Sequence, residues 1–154
     1  IIINNDVLRR VRYIFDFSDQ LVLSMFELGG YKATKLELVG WLAREEEPDF
    51  VMCSDEMLAR FLNGLISHKR GPKDDGVPEP EYVLTNNIIL RKLKIALNLQ
   101  ADDVLAIFKL NDFTLSSHEL SAFFRRPDHK NYRQCLDQLL RNFLDGMEKK
   151  YRKR

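Results

Sequence analysis

Apolar residues recur along this chain at the spacing of a helical face, and no stretch alternates apolar and polar for long enough to suggest a strand. Val7, Leu8, Val11, Ile14 and Phe15 mark one face of a first helix, with Asn5 just before them as N-cap. An asparagine there can accept an orphan backbone N–H. A second helix runs from about Ser18 to Leu28 and stops at Gly29-Gly30, because glycine tolerates a left-handed C-cap. A third starts at Thr34, where Glu37 completes a capping box. Pro48 suits the first turn of a fourth and longest helix, whose face carries Phe50, Cys53, Met57, Leu58, Phe61, Leu62 and Leu65 before Gly71 closes it.

The pattern then returns. Displaced by 82 residues, positions 4–70 align without a gap on positions 86–152, with 18 identities in 67 pairs (18/67, 27%). Asn4-Asn5 meets Asn86-Asn87, Leu8-Arg9 meets Leu90-Arg91, Phe26 meets Phe108, Cys53 meets Cys135, Asp55 meets Asp137 and Gly64 meets Gly146. In the second copy Asn87 precedes Ile89, Leu90, Leu93 and Leu97, and the second helix runs from about Asp102 to Leu110. Ser116 and Glu119 repeat the capping box. Pro127 opens a fourth helix bearing Tyr132, Cys135, Leu139, Leu140, Phe143, Leu144 and Met147. The fold class this implies is all-α: two tandem four-helix repeats packed as a pseudo-two-fold symmetric helical bundle. The first repeat spans 4–70, an acidic linker containing Pro and Gly spans 71–85, and the second repeat spans 86–152. A 67-residue copy is near the lower size limit for independent stability, so the expectation is one compact unit joined through the two fourth helices.

Composition narrows the class. Of 154 residues 45% are hydrophobic and 31% charged, enough for a core and for solubility. No apolar run approaches the ~20 residues that span a bilayer, and Ile1-Ile2-Ile3 is too short for a leader or an anchor. Two cysteines do not make a disulfide scaffold; a reduced, cytoplasmic protein is the expectation, with no membrane partner. The net charge of +1 conceals an asymmetry. Residues 4–70 carry 9 basic and 11 acidic side chains (−2), residues 71–85 carry 1 and 4 (−3), and residues 86–154 carry 14 and 8 (+6).

That asymmetry points to candidate chemistry. Arg125, Arg126, His129, Lys130 and Arg133 cluster in the connector between the third and fourth helices of copy two, where copy one has Glu45, Glu46, Glu47 and Asp49. With a helix start at Pro127 the cluster offers a phosphate or nucleic-acid contact; read plainly, it is a solvated connector capped by Asp128. The basic tail of Lys149, Lys150, Arg152, Lys153 and Arg154 could add to such a contact or simply complement a helix dipole. The second and third helices could form a helix-turn-helix, facing a duplex with Lys32, Lys35 and Arg44, or with Ser117, His118, Ser121 and Arg125. The paired Cys53 and Cys135 are either two buried small hydrophobes or a redox or soft-metal pair across the pseudo-dyad. No Walker loop, G-x-G-x-x-G, H-E-x-x-H, G-x-S-x-G or calcium loop is present, so no catalytic residue, cofactor or metal is expected.

The duplicated Asn-Asn-x-x-Leu-Arg opening, Phe61-Leu62-Asn63-Gly64-Leu65 before Lys69-Arg70-Gly71, and Pro127-Asp128-His129-Lys130-Asn131-Tyr132 before Cys135 and Asp137 resemble the bacterial YehS-like family of tandem-repeat proteins. The resemblance covers residues 4 to about 152 and implies a bacterial, cytoplasmic protein; it carries no activity. The leading expectation is therefore a non-enzymatic interaction or regulatory module with an unidentified protein partner. The alternative is DNA or RNA binding through the basic second repeat and tail, and a homodimer through a leftover apolar face is a third reading.

Overall fold

The computed structural model describes residues 1–153 and is helical throughout, with no strand among the described residues. Its elements are α1 (Asn4–Phe15), α2 (Asp19–Leu28), α3 (Lys35–Leu42), α4 (Asp55–Arg70), α5 (Asn86–Ala96), α6 (Ala101–Leu110), α7 (Ser117–Ala122) and α8 (Asp137–Tyr151). No helix among the described residues is long and apolar enough to cross a membrane. Thr34 and Ser116 cap their helices as expected, Ser18 caps α2, and Asp103 closes the start of α6 by accepting the Gln100 N–H at 2.8 Å.

Two expectations about the helix starts are corrected. Asn5 and Asn87 are not N-caps: they lie inside α1 and α5, fully or almost fully buried. Thr85 caps α5 instead, and Asp6 accepts the Ile3 N–H ahead of α1. The fourth helices do not begin at Pro48 and Pro127. They begin at Asp55, capped by Ser54, and at Asp137, after stretches of turn and extended chain. Phe50 and Tyr132 lie in those stretches, and so do Cys53 and Cys135, which are therefore not on the fourth helices.

The buried asparagines account for the non-helical stretches. Asn5 Nδ2 donates to the Trp41 carbonyl at 3.0 Å and the Val51 carbonyl at 2.8 Å, while its Oδ1 accepts the Cys53 N–H at 2.9 Å. Asn87 does the same with Phe123, Arg133 and Cys135, at 3.0, 2.8 and 2.8 Å. Each amide ties the end of a third helix to the chain entering a fourth. A buried backbone group without a partner is costly, so these bonds are what allow an irregular segment to lie against the core. Arg9 and Arg91 add a second tie, to the Ala43 and Phe124 carbonyls at 2.9 Å.

The repeats do not pack fourth helix on fourth helix. The contacts run crosswise, α4 against α5 and α1 against α8, two pairings that interconvert when the copies are exchanged. A reciprocal latch follows the same symmetry. Asp55 takes the Asn4 amide (2.7 Å) from its own copy and the Leu84 N–H (2.9 Å) from the chain entering copy two. Asp137 takes the Asn86 amide (2.7 Å) and the Ile2 N–H (3.2 Å) from the chain entering copy one. Those bonds to Asn86 and Ile2 hold the Asp137 carboxyl below its ordinary range. One apolar cluster spans both repeats, with Phe26 against Phe61 and Phe108 against Phe143 at ring separations of 5.5 and 5.2 Å. Each such ring contributes roughly 1.5–3 kcal/mol through burial.

Candidate connector faces

The Asn clamps leave one side of each connector turned to solvent, and here the repeats part company. In copy one, Leu36 (83% exposed) and Val39 on α3 are exposed, as are Val51 and Met52 in the connector that follows. Val51 packs against Gly40, where any Cβ would stand 2.7 Å from its methyl. Glu45, Glu46, Glu47 and Asp49 are exposed in the same connector. The equivalent positions in copy two are His118, Ser121, Arg133 and Gln134, all exposed and none apolar. One scaffold thus presents an apolar face with an acidic border and, half a molecule away in sequence, a polar cationic face.

The copy-two face surrounds a shallow cavity of about 360 Å³ lined by His118, Glu119, Arg125, Asn131, Tyr132 and Arg133. Arg125 folds back onto the Asn131 carbonyl at 2.9 Å, and Arg133 lies over the Phe123 ring and 3.9 Å from Glu119. The Ser116 cap bonds hold the Glu119 carboxyl below its ordinary range. Arg126 pairs with Asp128 at 3.3 Å, and His129 Nδ1 accepts the Asn131 N–H at 2.9 Å. Lys130 is exposed. Because α8 starts only at Asp137, Pro127 opens no helix beside these cations and Asp128 caps none.

The tail belongs elsewhere. Lys149 donates to the Leu110 carbonyl (3.2 Å) and Asn111 (2.9 Å) at the end of α6. Lys150 lies 5.6 Å from the Tyr151 ring. Arg152 donates to the Tyr13 carbonyl at 2.6 Å, covers the Tyr13 ring and lies 3.8 Å from Asp16. The 15 residues of α8 put about 22 Å between connector and tail. Arg125 and Arg133 therefore share a cavity, while Lys149, Lys150 and Arg152 sit at the far end of α8. Arg154 lies outside the described residues. On the two candidate helix-turn-helix faces, α3 exposes Lys35, Leu36 and Val39, and α7 exposes Ser117, His118 and Ser121, with Arg125 half-buried.

Sequence reasoning missed a cluster formed where the repeats meet. Arg9, Arg10, Arg12, Arg44 and Arg141 line a cleft of about 510 Å³. Most of these guanidinium groups are engaged: Arg9 by Asp6, Arg10 by Asp145 (2.7 Å) and Glu148 (3.5 Å), Arg12 by Asp19 (3.7 Å), and Arg141 by the Ile1 carbonyl. The cleft joins residues more than 130 positions apart, so no local motif announces it. Cys53 and Cys135 are buried free thiols, and desolvation, with Asp55 or Asp137 nearby, pushes each up to about 12. A thiol so placed stays protonated at neutral pH, the wrong form for a ligand or nucleophile. No three His, Cys, Asp or Glu side chains among the described residues group as a metal site.

The family model described as "Protein of unknown function (DUF1456)" matches the chain twice, at residues 4–71 and 86–153. The chain belongs to this family. Those matches flank the Pro- and Gly-bearing connector and take in both asparagine clamps and the aspartates of the latches, while the latch donors Ile2 and Leu84 lie just before each matched range. The chain is also 46% identical over 147 residues to the "Uncharacterized protein YehS" of Escherichia coli strain K12, a match covering 94% of each chain. No solved structure matches it.

Proposed function

We propose that this DUF1456 chain is a non-catalytic interaction module that binds a protein partner through its connector faces. The observation that carries this reading is the divergence of Leu36, Val39, Val51 and Met52 from His118, Ser121, Arg133 and Gln134 at equivalent, rigidly held surface positions. Exposed apolar side chains grouped inside a charged border are what an interface core and rim require. The partner presents an apolar patch with cations to copy one and acidic groups to copy two. We place the module in the cytoplasm, on the support of its two unpaired thiols.

The intact chain, immobilised, is used to capture protein from a cell extract with and without nuclease treatment, beside the variants L36E/V39E and R126E/K130E. The reading predicts a defined bound protein, lost with L36E/V39E and weakened with R126E/K130E. Capture that disappears on nuclease treatment would instead support a nucleic-acid partner, and capture indifferent to both variants removes the connector faces as the site.

A further inference from the structure

The two pseudo-equivalent cations Arg10 and Lys92 obtain their acids differently. Arg10 is satisfied by α8, through Asp145 and Glu148. The matching positions on α4 are Asn63 and Ile66, which carry no charge. Lys92 is nonetheless buried, only 9% exposed. Its Nζ donates to Asn63 Oδ1 at 2.6 Å and pairs with Glu81 of the 71–85 connector at 2.9 Å. A buried ammonium needs a countercharge, and here it comes from a strap rather than from the helix beneath.

Beneath that strap lies a cavity of about 610 Å³ between α4, α5 and the connector, within the range of small-molecule sites. Arg70, Lys73 and Arg91 line it with Lys92, and none of those three has a carboxylate partner among the described residues. Asn63, also lining it, is 97% buried and its Nδ2 has no hydrogen-bond partner. An unsatisfied buried amide is rare in folded proteins and calls for an acceptor. Arg152, the counterpart of Arg70, is spent on Tyr13 and Asp16.

We infer that the cavity under the strap binds a small phosphate-bearing molecule, which takes the place of the Glu81 carboxylate at Lys92 and accepts a hydrogen bond from Asn63 Nδ2. Arg70, Lys73 and Lys92, with Arg91 held on the Phe124 carbonyl at the rim and Glu79 engaged by the Tyr82 hydroxyl, join an orphan donor in a set that suits the several oxygens and double charge of a phosphate better than a single carboxylate. Glu81 acts as the resident competitor, so the strap and the ligand exclude one another at Lys92. The site is distinct from the connector faces and stands or falls separately from them.

The test is a titration of the intact ¹⁵N-labelled chain with inorganic phosphate and with glycerol 3-phosphate, acetate serving as the carboxylate arm. Expected are saturable shifts of the Asn63 side-chain amide and of the 71–85 backbone amides with both phosphates. Glu81→Gln removes the competitor and should tighten binding about tenfold, one charge-assisted bond's difference. Asn63→Asp places an acid where copy two's counterpart, Asp145, has one, and should abolish binding while the thermal midpoint is retained. Lack of shifts at Asn63, equal binding of acetate, or weaker binding by Glu81→Gln would overturn the inference.

Discussion

Asn5 and Asn87 each bond three backbone groups of the third helix end and the connector. Truncating either strands one buried carbonyl and one buried N–H and frees a second carbonyl at the surface, so Asn5→Ala and Asn87→Ala should each cost on the order of 2–4 kcal/mol in urea-induced unfolding. Asn5→Asp should be no milder, because a carboxylate cannot donate to Trp41 and Val51. That outcome separates a clamp from a cap, since Asn and Asp are interchangeable at an N-cap. The sequence showed that these asparagines are duplicated, but position alone suggested a cap. The difference lies in partners 36 to 48 residues away, which no local pattern encodes. The cysteines were misplaced for the same reason: apolar spacing continued through an extended segment that the Asn clamp holds out of helical form.

At the scale of elements, the glycine conserved between the copies sets how closely two helices approach. A Cβ on Gly64 would stand 1.7 Å from the Met25 carbonyl oxygen of α2, and one on Gly146 would stand 2.1 Å from that of Ile107 on α6. Backbone is the obstacle in both cases, so a methyl group forces the helices apart. Gly64→Ala and Gly146→Ala should therefore destabilise the chain by roughly 2–4 kcal/mol, although alanine is the better helix former by about 1 kcal/mol. A melting series reports the sign directly; a stabilised variant would contradict the close packing. The helices themselves were readable from periodicity and capping residues, α2 almost to the residue and α3 at its start. The starts of α4 and α8 were not, because Pro48 and Pro127 resemble helix openers while the chain there is held by tertiary bonds instead.

At the scale of the whole molecule, duplication built a scaffold in which each repeat supplies the other's latch. Asp55 and Asp137 each bind the chain that enters the opposite copy, and the apolar cluster runs through both. The identities that revealed the repeat are largely the residues of clamp, latch and core. The sequence also located the charge contrast between the copies in the connectors. It did not show that copy one's side is apolar as well as acidic, because Leu36, Val39, Val51 and Met52 look like core residues until burial is known. Shared residues hold the clamps and latches, and the connector residues that differ most in charge face solvent.

The most direct measurement of that division is a transplant. The quadruple variant L36H/V39S/V51R/M52Q gives copy one the exposed side chains of copy two, and it should be read for both unfolding and partner capture. Changes at exposed positions should leave the unfolding free energy within about 2 kcal/mol of the parent, with capture abolished. Unchanged capture by a stably folded variant would contradict the assignment of binding to the connector faces.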